Sequence, residues 1–207
     1  MRQRKRRRCH VRADQAELIV RAKQAGSSMV ELIIAVTIGM FAMSAFFETI
    51  SRLTALDKAK REAAQLAYGA AALQSLLKIH GANIIKTGTA SGFVNPLKPT
   101  FAELKAGRYL PPFSKQVTAF NGSLDFTIRR GAKNDLFGLV CDTQSVTERG
   151  SPATWLASEV MMAAGGLGLR TSIATPTILS GQAFSGVLSP ITGPAVVCAW
   201  AYVGTPT

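Results

Sequence analysis

The chain has 207 residues, with 24 Lys/Arg against 12 Asp/Glu, two histidines and three cysteines. That length bounds it to one domain with extensions rather than two full domains. The charge of +12 is concentrated: residues 1–26 hold nine Lys/Arg against Asp14 and Glu17, a net of +7, leaving +5 for residues 27–207. With His10 in this arm, only His80 remains beyond it, which excludes a His-rich metal site and leaves a Ser-His-Asp arrangement one candidate base.

The arm (1–26) is compositionally separate. No aromatics interleave its charges as a base-stacking surface requires, so it reads as an address and no specific nucleic-acid partner is expected. Directly before an apolar segment, its charge implies retention on the cytoplasmic side of a membrane.

Residues 27–47, SSMVELIIAVTIGMFAMSAFF, are almost wholly apolar, and Glu31 is their one charge. As a helix they measure about 30 Å, enough to cross a bilayer. An ionisable group inside such a span is expensive and marks a function that supplies it a partner.

The helical pattern continues. Leu56, Ala59, Ala63, Leu66, Ala70, Leu73 and Leu77 form one apolar stripe, with Asp57, Lys58, Lys60, Arg61, Glu62 and Gln65 largely off it. Gly81, after Lys78 and His80, is the first stop signal, so one long helix is expected over 27–80. His80 then sits at a helix end, where the dipole favours a cation. A coiled-coil stalk is the alternative use of the amphipathic half.

Residues 81–207 read as a globular α+β head. Residues 81–99 are a Gly/Thr/Pro-rich connection, and Thr100 to Glu103 is a capping box for a short helix ending at Gly107. Val117–Phe120 and Leu124–Ile128 flank Asn121-Gly122 and predict a hairpin. Leu136–Cys141 reads as a buried strand. Ser151-Pro152 predicts a helix start, with the helix running through Trp155–Ala164 and stopped by Gly165-Gly166. Strand-like patches follow at Leu169–Ile173 and Phe184–Leu188. The clearest strand is Ala195–Val203, which places Cys198 with Val196, Trp200 and Tyr202 on one face. Short strands and sparse charge suit a small antiparallel sheet with one face on the long helix.

No catalytic set emerges, and no enzyme activity, cofactor or metal is expected. Gly165-Gly166-Leu167-Gly168 is not a dinucleotide fingerprint and lacks the Lys-Ser/Thr of a phosphate loop. Asp142 and Glu159 read as surface carboxylates, and Met161-Met162 as core packing. Cys9 lies in the arm. Cys141 and Cys198 are an even pair in an exported body: either a disulfide, worth about 4 kcal/mol by chain entropy, or two buried thiols.

The run Gly26-Ser27-Ser28-Met29-Val30-Glu31 ahead of the apolar span resembles the processing site of type IV prepilins. The resemblance implies cleavage after Gly26 by a membrane prepilin peptidase facing the cytoplasm, N-methylation of the new amine on Ser27, and an assembly role for Glu31, fifth in the mature chain. It also implies a pilin-like fold, inner-membrane residence with the head in the periplasm, and later placement in a filament on the cell surface. Partners would be the peptidase, membrane lipid, other pilin subunits and the pilus assembly machinery. The first mature residue is Ser rather than the commoner Phe or Met, and no proline lies near residue 48, where the best-known subclass kinks its helix. The long leader and non-Phe start resemble type IVb pilins instead. Leu104-Lys105-Ala106-Gly107-Arg108-Tyr109-Leu110-Pro111, then Leu139-Val140 and Ala163-Ala164-Gly165-Gly166, are faintly similar to shufflon-type minor pilins, which leaves major and minor subunit both open.

Two readings compete. A secreted protein could be cut at Ala42-Met43-Ser44 to begin at Ala45, although Glu31 and the long arm argue against an ordinary signal. A signal-anchored periplasmic domain of unknown function is the other.

Overall fold

A computed structural model describes the backbone of residues 3–131, 135–182 and 185–203, and the side chains of 29–131, 135–182 and 186–202. The chain divides into two compact units, Met1–Arg52 and Leu53–Thr207. The mixed architecture is a long N-terminal helix plus a curled six-stranded antiparallel sheet, as the α+β expectation requires.

Helix α1 spans Gln3–Thr87. Its backbone is helical through Gly26 and Ser27, so the arm and the apolar segment form one element rather than two. At the other end it passes Gly81, the expected stop. A β-carbon there would meet Leu136 Cδ1 at an ordinary 3.6 Å, so Gly81 is a helical position facing the sheet. The helix ends where Gly88 takes a φ of 72° and donates its N–H to Ile84 O at 3.1 Å. The Arg130 guanidinium donates to the same carbonyl.

In the second unit the stripe does what its spacing requires. Ala59, Ala63, Leu66, Ala70, Leu73 and Leu77 are buried, joined by Leu76 and Ile84, while Leu56 is half-buried. They face Phe126, Ile128, Val140, Val197, Ala199 and Ala201. Helix and sheet approach closely at two glycines: a β-carbon on Gly69 would lie 2.8 Å from Val140 Cγ1, and one on Gly138 would lie 2.7 Å from Leu73 Cδ1.

Helix α2 (Phe101–Ala106) follows the connection. Its capping box is complete: Glu103 N–H donates to Thr100 Oγ1 at 3.2 Å, and Thr100 N–H donates to Glu103 Oε2 at 2.7 Å. Strands β1 (Leu124–Arg130) and β2 (Leu136–Asp142) form a hairpin. The hairpin expected around Asn121-Gly122 is present only in miniature: Val117 bridges Ser123 antiparallel, Thr118 N–H donates to Gly122 O at 3.1 Å and Leu124 N–H to Gln116 O at 3.2 Å, and Asn121 takes a φ of 63° in the turn between them. Asn-Gly supplies the turn, but the ladder stops at one bridge, and side chains (Glu62 to Ala119 N–H, and the Thr118 hydroxyl to Asp142 and Gly122 N–H) hold the rest of the turn.

Strands β3 (Thr147–Glu148) and β4 (Ser151–Pro152) make a two-residue ribbon. Pro152 therefore lies in a strand, not at the first helical position, and helix α3 (Thr154–Ala163) begins after Ala153 without a side-chain cap. Gly165, at φ 68°, starts a 3₁₀ turn into β5 (Gly168–Arg170), the stop and turn expected there. Strands β6 (Ile178–Gly181), β7 (Ser185–Leu188) and β8 (Val197–Val203) complete the sheet in the order β1-β2-β8-β5-β6-β7. Phe184 lies outside the described residues.

The central strands β2 and β8 are covered on both faces. One face packs on α1. The other, with Leu139, Cys141 and Cys198, packs on Leu169, Leu179 and Val196 as the sheet curls. Cys141 and Cys198 stand opposite each other in the β2–β8 register and are bonded as a disulfide. Of the methionine pair, Met161 is half-buried but Met162 is 51% exposed, so it does not pack in the core as its apolar character suggested.

Candidate functional site

The apolar half of α1 is built unlike any other part of the molecule. Every large apolar side chain from Met29 to Phe47 is exposed, with Phe41 at 73% and Met40 at 70%. A folded protein leaves so continuous an apolar surface only where lipid or another protein covers it. The helical stretch Met29–Thr87 contains an apolar window long enough to cross a membrane, and none of that window is buried within the chain. Two of its hydroxyls are suited to such a medium. Thr37 Oγ1 donates to Ile33 O at 2.7 Å, and Thr49 Oγ1 to Ala45 O at 2.8 Å, so both hydroxyls are satisfied within the helix.

Glu31 is the charged group of this segment. It is exposed on this surface and has no hydrogen bond or ion pair to another described residue. Gly26 and Ser27 lie in the same helix one turn earlier, and their side chains, like that of Cys9, lie outside the described residues. The three residues singled out at this end of the chain thus share one helical segment.

His80 is not at a helix terminus, because α1 runs on to Thr87. It is half-buried beside Phe93 and Tyr109, with Nε2 3.0 Å from the Tyr109 hydroxyl. The ring thus packs among aromatics and pairs with a phenol. Among the described residues no three of His, Cys, Asp and Glu come together as a metal site.

The structure brings together two carboxylates that the sequence separated. Glu62, placed with the polar residues by its type, is wholly buried, and so is Asp142, expected at the surface. Glu159, expected there too, is half-buried. Glu62 lies three residues after Ala59 and four before Leu66, so its spacing put it on the stripe all along. Its Oε2 accepts the Ala119 N–H at 2.8 Å, while Oε1 is buried with no hydrogen-bond partner. Asp142 accepts the Thr118 hydroxyl at 2.8 Å and the Gln144 N–H at 3.0 Å. Burial, then the Asp142 charge, pushes the Glu62 carboxyl up to about 8. Burial also raises Asp142 above the usual carboxylate range.

A shallow apolar groove on the sheet face away from α1, about 110 Å³, is lined by Phe137, Leu139, Leu169, Val187, Trp200 and Tyr202. Its lining is aliphatic and aromatic, with the Tyr202 phenol as its one ionisable group. Comparison of the chain with family models, with curated proteins and with solved structures finds no match in any of the three.

Proposed function

We propose that this chain is a structural subunit, major or minor, of a type IV pilus or a related pseudopilus. Cleavage by prepilin peptidase after Gly26 frees the Ser27 amine, which is then N-methylated. The apolar half of the helix holds the subunit in the inner membrane with the head in the periplasm. Other subunits then replace lipid around it as the assembly machinery adds the subunit to a filament on the cell surface.

The observation that supports this reading best is the exposed apolar segment carrying one carboxylate, Glu31, five residues beyond Gly26 and next to a strongly basic arm. A carboxylate in hydrocarbon needs a cation. The Ser27 amine of a neighbouring subunit supplies one, and because both groups occupy fixed helix positions their pairing sets the stagger between subunits. Methylation leaves the amine charged.

Mass mapping of the N-terminus, on protein from membranes of a host carrying a prepilin peptidase, tests this. The expected mature chain begins at Ser27 and carries one methyl group. A chain beginning near Ala45, or one retaining Met1, would overturn the reading in favour of a secreted or signal-anchored periplasmic domain.

A further inference from the structure

Independently of any filament role, we propose that Glu62 and Asp142 form a proton-dependent latch that clamps the amphipathic half of α1 to the Thr118–Gly122 turn. The latch is closed while the pair holds one proton and weakens when it does not.

The geometry carries this. The two carboxyls come from α1 and the end of β2, and both are wholly buried. Three of their four oxygens accept hydrogen bonds from the turn and from the chain just after β2: Ala119 N–H, the Thr118 hydroxyl and Gln144 N–H. The fourth, Glu62 Oε1, has no donor. A bare buried carboxylate oxygen is costly, but as a hydroxyl it becomes a donor, and Asp142 is the acidic neighbour whose charge acts on Glu62.

The turn is fitted to this pair. Thr118 Oγ1 gives its hydrogen to Asp142 and accepts the Gly122 N–H at 2.9 Å, closing the turn. Gly122 lies so close that a β-carbon there would fall 1.7 Å from Asp142 Oδ1.

No cation neutralises the pair among the described residues. On α1, Lys58 and Arg61 are exposed and Arg61 is bound to Asp57. On the loop before the turn Lys115 is exposed. On β1, Asp125 lies 4.0 Å from Lys98. The segment after β2 brings Gln144 and Ser145, which are uncharged.

The sign follows from proton linkage. Closed, Glu62 keeps its proton up to about pH 8; once the turn opens, Glu62 returns to the usual carboxylate value of 4.5. The closed form therefore holds the extra proton between those values, and opening becomes easier as pH rises through the window, by up to about tenfold per pH unit for one proton. Above pH 8 both forms are ionised at Glu62 and the dependence levels off.

Hydrogen–deuterium exchange on the full chain in detergent, from pH 5 to 10 and corrected for intrinsic exchange rates, reads this directly. Protection of the peptide containing Ala119 and Gly122 should fall as pH rises and flatten near 8. Glu62→Gln, which keeps a donor and cannot ionise, should abolish the slope. Asp142→Asn, measured as well in case the first variant does not fold, should move the break to lower pH by removing the neighbouring charge. A flat wild-type profile, an unchanged slope in Glu62→Gln or an unmoved break in Asp142→Asn would overturn the latch.

Discussion

A methyl group at position 138 would meet Leu73 at two atoms, Cδ1 at 2.7 Å and Cβ at 3.2 Å. The first can rotate away, but the second is fixed to the helix backbone, so helix and strand must separate. Gly138→Ala should therefore destabilise the second unit by about 1–3 kcal/mol, the usual cost of overpacking. Chemical denaturation of the full chain in detergent should show a lower midpoint with an unchanged slope. Nothing in the local sequence LFGLVCD marks position 138 as a contact, because a glycine in a strand has several possible reasons. Glu62 was hidden differently. Its spacing put it on the buried stripe, its side-chain type argued against burial, and the donors that resolve the conflict arrive from 57 residues later at Ala119. Cys141 and Cys198 were legible as a pair by number, while the register that opposes them is a property of the sheet.

At the scale of elements, periodicity held throughout α1, whereas punctuation held at the Thr100 capping box and Gly165 but failed elsewhere. The stripe from Ala59 to Leu77 emerged intact as the helix face on the sheet. Gly81 and Pro152, both read as helix boundaries, lie respectively inside α1 and inside β4. A glycine or proline reports what the backbone is allowed to do, and packing decides whether it does so. The most deeply packed leucines of the stripe give the sharpest test: Leu73→Ala, beside Gly138, should cost about 2–5 kcal/mol by cavity formation, measured by the same denaturation. The apolar half of the helix obeys other rules, since its large apolar side chains from Met29 to Phe47 are exposed. Glu31→Ala removes a charge and leaves this surface more apolar, so the protein should still be processed and membrane-bound. Its filaments should fall at least tenfold in yield on the proposed reading, because the buried amine of the neighbouring subunit loses its counter-charge and a buried unpaired charge costs about 3–5 kcal/mol. Filament yield by shearing and sedimentation, alongside the fraction of mature subunit, separates assembly from processing.

The whole molecule joins a segment with no buried side chain in its membrane-length window to a unit with its own two-sided core. On the proposed reading, processing belongs to this scale, since a cut after Gly26 would remove a net charge of +7 and leave a free amine on Ser27. Gly26→Trp should leave the head folded and the leader attached, detected as a heavier subunit by electrophoresis and mass; normal processing of this variant would remove the main support for cleavage at that position. The order β1-β2-β8-β5-β6-β7 has a mechanical corollary. The covalent Cys141–Cys198 link ties neighbouring central strands, and β5, β6 and β7 all lie in the loop it closes, a separation of 57 residues. Tension applied between the helix and the C-terminal end passes through that link and bypasses the loop. About 200 Å of contour, at up to 3.6 Å per residue, thus stays stored however far the rest of the chain is drawn out. Reduction of the one bond is what would release it, adding that length to what the chain can yield under load.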